Sequence, residues 1–169
     1  IHERLFPPQF STGPLHLTFR FEPMMQLGGD YLDAMQHPDG SITLTLIDVT
    51  GHGFGAALAV NRLHGELKRI AAQNPGAAPS QVIAALNDYI FLTLADESVY
   101  ATAIALRVTP SGQCTLCIAG HPPALVRRSG ASVETIESNA PMLGLFASSD
   151  FTADDAIVQL ERDDFLVLY

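Results

Sequence analysis

Two short acidic motifs hold the residues best suited to chemistry, Gly28-Gly29-Asp30-Tyr31-Leu32-Asp33 and Asp48-Val49-Thr50-Gly51-His52-Gly53. Tyr31 to His37 and Ser41 to Ile47 read as strands, with Pro38-Asp39-Gly40 as the turn between them. A hairpin of that form makes the start of one strand and the end of the next neighbours. Asp30 opens the first strand and Asp48 closes the second, so two sequence-distant carboxylates are expected to meet at one end of one sheet. Carboxylates about 5 Å apart repel by roughly 3 kcal/mol at an effective dielectric near 20. A shared proton or a cation must offset that repulsion. The surrounding glycines favour the cation, because they let backbone carbonyls and water approach closely.

The elements that would position these acids follow along the chain. Leu15 to Glu22 alternates as a strand ahead of the hairpin. From Gly53 the period becomes helical: Phe54, Leu58, Leu63, Leu67 and Ile70 recur at three-to-five spacing, and the Leu58-Leu63-Leu67 stripe is expected to face the core. Asn74-Pro75-Gly76 ends that helix, and Pro79-Ser80 starts a second, with Ser80 as its expected N-cap and Asp96 near its end. Strands return at Ala101 to Val108 and Gln113 to Ala119, then as a hairpin around Ser129-Gly130, then near Ala156 to Leu160 and Phe165 to Tyr169. Strands, two consecutive helices, then strands indicate an α+β class with a largely antiparallel sheet. Phe165 to Tyr169 is an apolar β run with no turn after it, and is expected to be internal to a fold whose C-terminal part is absent.

Composition narrows the partners. The 169 residues are 47% hydrophobic with mean hydropathy +0.20, enough for one substantial core. No apolar run approaches the ~20 residues of a membrane span, and Ile1-His2-Glu3-Arg4 lacks the layout of a signal peptide. A formal net charge of -9 argues against nucleic acid as a partner. Cys114 and Cys117, the only cysteines, face opposite sides of a strand, which argues against a redox pair or zinc site.

In order along the chain, Gly28 to Asp33, then Ile47 to Gly53 with Ala56-Ala57, then Ala119-Gly120-His121-Pro122-Pro123, resemble the PPM phosphatases. These are the metal-dependent, protein phosphatase 2C-like serine/threonine phosphatases, and the resemblance is to their bacterial RsbU/SpoIIE branch. Leu5-Phe6-Pro7, Tyr100 to Ala103, Met142-Leu143-Gly144 and Asp164 to Tyr169 agree with it. The resemblance implies that residues 1–169 form a single PPM-type domain, a two-sheet antiparallel β-sandwich flanked by helices, incomplete at its C-terminus. It implies two Mn²⁺ or Mg²⁺ ions in the complete domain, with Asp48 bridging them, Val49 offering its backbone carbonyl and Asp30 supporting one ion. Further acidic ligands in this family follow the strand that here ends at Tyr169.

The implied reaction is direct hydrolysis of phosphoserine or phosphothreonine by metal-activated water, with a general acid for the leaving alkoxide. His52 and His121 are the two candidates, each with the alternative that it fixes a turn by hydrogen bonds. His2, His16, His37 and His64 read as ordinary surface or helix histidines, Asp33 as a water ligand or a local cap, and Arg20 as solvated beside Glu22. The implied substrate is a phosphorylated regulatory protein of the anti-sigma-factor-antagonist type, in the cytoplasm, with a sensor or receiver domain upstream in the same chain. The alternative is a phosphatase-like adaptor that binds a partner without catalysis.

Overall fold

The computed structural model describes residues 6–22, 28–94 and 98–169. The N-terminal Ile1 to Leu5, including His2, and Asp96 lie outside the described residues. Among the described residues, ten strands and two helices occur in the order β1 (Phe10–Thr12), β2 (Leu15–Leu17), β3 (Asp30–Gln36), β4 (Ile42–Val49), α1 (Phe54–Gln73), α2 (Pro79–Thr93), β5 (Ala101–Val108), β6 (Gln113–Ala119), β7 (Ala124–Arg127), β8 (Val133–Ile136), β9 (Ala156–Gln159) and β10 (Phe165–Val167).

A five-stranded sheet runs β3-β4-β5-β6-β9, a three-stranded sheet runs β10-β7-β8, and β1 pairs with β2. Every pairing between strands is antiparallel. The expected sandwich is therefore present, with both described helices on the outer face of the five-stranded sheet. α1 lies over β3 and β4, and α2 over β5 and β6.

Strand periodicity explains the two layers. Tyr31, Ile47, Val49, Ala101, Ala103, Ala105, Cys117 and Ala119 point to the helices, where they meet Val60, Leu63, Ile83, Leu86 and Ile90. The row of alanines lets the helices sit close. Alternate residues, among them Leu32, Leu44, Ile104, Leu106, Cys114, Leu116 and Ile118, point the other way into a second core against Ala124, Leu166 and Leu168. Each fully buried Leu or Ile contributes about 1.5–3 kcal/mol of transfer free energy. The central strands are apolar on both sides because both sides are covered. Among the described residues no helix is long and apolar enough to cross a membrane.

Five local expectations change. The strand foreseen over Leu15 to Glu22 stops at Leu17, and β1 pairs with it instead. On α1, Phe54 and Leu58 are 76% and 47% exposed, and the buried stripe is Ala56, Ala59, Val60, Leu63, Leu67 and Ile70. The small residues take the face toward the sheet, which rotates the larger pair outward. On α2 the N-cap is Ala78, not Ser80, and Pro79 occupies the first turn. The amide and hydroxyl of Ser80 instead donate to the Asp155 carboxylate at 2.8 and 2.9 Å, a cap supplied from just before β9. Asp33, expected as a water ligand or a local cap, is, like Ser80, paired with distant chain: it accepts from Lys68 Nζ of α1 at 2.8 Å. Lastly, α2 ends at Thr93, with Leu94 as its C-cap.

Candidate metal centre

The hairpin register does what the acid spacing requires. Asp30 and Asp48 are direct cross-strand partners, and Asp48 is also opposite Thr102 of β5. Residues 30, 48 and 102 thus form one row across three strands, on the sheet face that looks into the sandwich. Leu32, Leu44, Leu46 and Ile104, an even number of residues away, line the second core.

Both carboxylates reach solvent at the open end of this row. The Asp48 carboxyl is nevertheless held above the usual carboxylate range, first by partial desolvation, then by the negative charge of Asp30, with a hydrogen bond between the two acids adding to it and His121 opposing it. Burial and a neighbouring like charge both disfavour the ionised form of a carboxyl group. The donors present are hard: two carboxylates and the Val49 carbonyl. They fit Mg²⁺ or Mn²⁺, which take oxygen ligands and keep several waters. Among the described residues there is no group of three or more His, Cys, Asp or Glu side chains placed to hold a metal.

Glycine is required at two points of the surrounding backbone. The Val49 amide donates to the Gly29 carbonyl at 3.1 Å, and a Cβ built on Gly29 would lie 2.3 Å from the Val49 carbonyl oxygen. No side chain fits there. Gly53, the N-cap of α1, has φ 80 and ψ -149, a region essentially closed to other residues. It redirects the chain from the end of β4 into α1. Thr50 steadies the same loop through its hydroxyl and the Tyr100 backbone, each contact 3.1 Å.

The two histidines differ. His52 is exposed on the Gly51-His52-Gly53 loop. His121 is 7% exposed, between β6 and β7. Its Nε2 donates to the Tyr169 carbonyl at 3.0 Å, and its Nδ1 lies 2.7 Å from the Thr102 hydroxyl. A carbonyl can only accept, so Nε2 carries the proton and the neutral ring accepts from Thr102. Burial lowers the pKa of this imidazole, opposed by the Tyr169 carbonyl and by Asp48 and Asp30. His121 therefore braces one sheet against the other, beside the acid row. Arg20 is paired with Glu22 at the surface, as expected.

Thr102 and the Tyr169 carbonyl are the site's unforeseen members. Nothing local marks Thr102; it enters only through the register of β5 on β4.

A family model for stage II sporulation protein E (SpoIIE) matches residues 38–169. Asp48, Val49, His52 and His121 fall inside the matched stretch, while Asp30 precedes it and is placed by the hairpin. The chain is 29% identical over 148 residues to the phosphoserine phosphatase RsbP of Bacillus subtilis (strain 168), covering 85% of this chain and 36% of that protein. It thus spans about a third of the length of that curated relative. Among solved structures, it resembles the PP2C phosphatase domain of the cell fate determinant SpoIIE from Bacillus subtilis, with TM-score 0.68, 20% identity, and 85% of this chain against 41% of that one. It also resembles RsbX in complex with magnesium, with TM-score 0.62, 14% identity, and 83% of this chain against 65% of that one. These likenesses show a shared PP2C-type fold. With the family model covering more than half of its length, the chain belongs to the SpoIIE family.

Proposed function

We propose that this chain carries a Mn²⁺- or Mg²⁺-dependent hydrolase of phosphoserine or phosphothreonine, acting on a regulatory protein of the anti-sigma-factor-antagonist type. The observation that carries the reading is the Asp30–Asp48 cross-strand pair at the open end of the sandwich, with Asp48 held above its ordinary pKa. The fold shared with phosphatases supports it, as does the relative RsbP, itself a phosphoserine phosphatase.

Asp48, on an inner strand, and Asp30, opposite it, would hold metal, with the Val49 carbonyl as a neutral third donor. Bound metal would activate water and neutralise charge on the phosphoryl oxygens. Gly29 keeps the Val49 carbonyl free of side-chain atoms. His121 holds the Thr102 end of the row, and both of its ring nitrogens are engaged. With both His121 nitrogens engaged, His52, exposed on the loop that follows Asp48, is the proposed donor of a proton to the leaving serine oxygen. No nucleophilic cysteine takes part: Cys114 and Cys117 are buried, and burial pushes both thiols up to about 12. The sensor or receiver domain upstream, the single-domain extent of residues 1–169 and the cytoplasmic location belong to the same proposal.

The test is hydrolysis of an aryl phosphate and of a phosphoserine protein with Mn²⁺, Mg²⁺ or EDTA. Turnover only with metal is expected, and full activity in EDTA would refute the mechanism. A second reading, an adaptor without catalysis, draws on the absence of a three-acid cluster among the described residues. Calorimetry separates the two, since an adaptor would bind partner protein without binding Mn²⁺.

A further inference from the structure

Asp30 occupies an exposed position in the architecture. It is the first residue of β3, the outermost strand of the five-stranded sheet, and two glycines precede it. Ends of edge strands fray most readily, and glycine adds backbone freedom. Asp48, by contrast, lies on β4 between two neighbours. A metal held by both acids needs the edge residue to keep its place.

The helix-facing side of β3 supplies a restraint. Tyr31, next to Asp30, sends its side chain to the opposite face, where it is 0% exposed. Its hydroxyl lies 2.5 Å from His64 Nδ1 on α1, and the two rings meet edge to face at 5.5 Å between centroids. Two residues along, Asp33 accepts from Lys68 Nζ at 2.8 Å. His64 and Lys68 are four apart, on one face of α1. The same helix starts at the loop that follows Asp48. Burial alone would be served by phenylalanine at position 31. A buried hydroxyl costs free energy unless it is paired, and of its two neighbours His64 Nδ1 on α1, at 2.5 Å, is far closer than Asp33 Oδ1, at 3.5 Å.

We propose that Tyr31 and His64 are a positioning pair for Asp30: their hydrogen bond, with Asp33–Lys68 beside it, clamps the edge strand to α1 so that Asp30 stays opposite Asp48 for metal binding. This rests on the reading that these acids hold metal.

The test uses Tyr31→Phe, His64→Ala, the double variant, and His64→Asn, whose amide oxygen can accept from the phenol in place of Nδ1. The Mn²⁺ dissociation constant is measured by calorimetry, and backbone amide exchange of residues 29–31 is followed without metal. Each single variant should weaken Mn²⁺ binding three- to tenfold and speed exchange at 29–31 several-fold while β5 and β6 keep wild-type protection. The double variant should lose no more than either single one, and His64→Asn should recover most of the affinity. Variants that melt lower yet bind Mn²⁺ as wild type would overturn the proposal, as would additive losses in the double variant. Absence of Mn²⁺ binding by the wild-type protein would instead remove the metal reading, and the positioning role with it. Wild-type Mn²⁺ binding with unchanged exchange in the variants would overturn the clamp alone.

Discussion

Replacing Asp48 by Asn gives a sharp separation of stability from activity. The two carboxylates are cross-strand partners, so a separation of about 5 Å, the Cβ spacing of such a pair, sets the scale of their repulsion. Their repulsion is about 3 kcal/mol at a dielectric of 20 and about 0.8 kcal/mol in bulk water. Both side chains reach solvent, so the lower figure governs, about 1 kcal/mol. Asp48→Asn removes that cost in the metal-free protein. For a chain of this size about 1 kcal/mol moves the melting temperature by roughly 2–4 °C. The gain has a pH dependence of known sign. Because the folded protein holds the Asp48 proton more tightly than the unfolded chain does, the wild type suffers no penalty below the ordinary carboxylate pKa. It loses stability as pH rises through the elevated value. The variant should therefore melt higher than wild type in EDTA at pH 8, and the difference should shrink toward pH 4. Turnover with Mn²⁺ should be abolished in the same variant. Differential scanning fluorimetry across pH in EDTA, with a phosphatase assay in Mn²⁺, reads both. A variant that melts lower than wild type in EDTA at pH 8 would refute the electrostatic argument, and one that keeps near-wild-type turnover would refute the metal role.

Gly29→Ala should cost about 1–3 kcal/mol, as overpacking does, because its Cβ would meet the Val49 carbonyl oxygen at 2.3 Å; urea denaturation and Mn²⁺ calorimetry should show both stability and metal affinity reduced. His121→Ala strands the Thr102 hydroxyl and the Tyr169 carbonyl and should cost about 1–3 kcal/mol, with faster amide exchange around β10. Because burial lowers the pKa of this imidazole, wild-type stability should fall as pH drops below the ordinary histidine value of about 6.5, and chemical denaturation between pH 7 and 5 should show that slope flattened in His121→Ala. Asp39→Asn should leave Mn²⁺ affinity and turnover unchanged, since Asp39 sits in the distal turn, bound to Ser41 and Arg107. Leu58→Ser should leave the melting temperature within about 1 °C, its side chain being exposed on α1, whereas Leu63→Ala should lower stability by about 2–5 kcal/mol.

Where the chain's local code was complete, the structure follows it. The β3–β4 register was readable because a short turn with Asp39 and Gly40 joins two alternating runs, and that register alone brings Asp30 to Asp48. The strands at Ala101 to Val108 and Gln113 to Ala119 were readable for the same reason. What escaped depends on distant chain. Thr102 joins the acid row through a ladder between segments some fifty residues apart, and His121 acquires its role from a carbonyl 48 residues later. Ser80 looked like a cap because its residue type suits one, but the α2 amides are met by Asp155, 75 positions away. Periodicity showed that α1 has an apolar stripe without showing its rotation. Packing against β3 and β4 decides that, with Ala59, Val60 and Leu63 meeting Tyr31, Ile47 and Val49 while Phe54 and Leu58 turn to solvent. His64 read as an ordinary helix histidine because its partner, the Tyr31 hydroxyl, lies on another element.

The two cysteines of β6 lie in separate compartments: Cys114 in the core between the sheets, Cys117 in the core beneath the helices. Each thiol is buried and held protonated at neutral pH, so a thiol reagent can reach it only when its own compartment opens. One strand thus carries two native clocks. Detachment of the helical layer would expose Cys117 first, and parting of the sheets would expose Cys114 first. Mass spectrometry of singly labelled protein would then record which layer yields first under denaturant, and whether adding Mn²⁺ slows one clock, the other, or both.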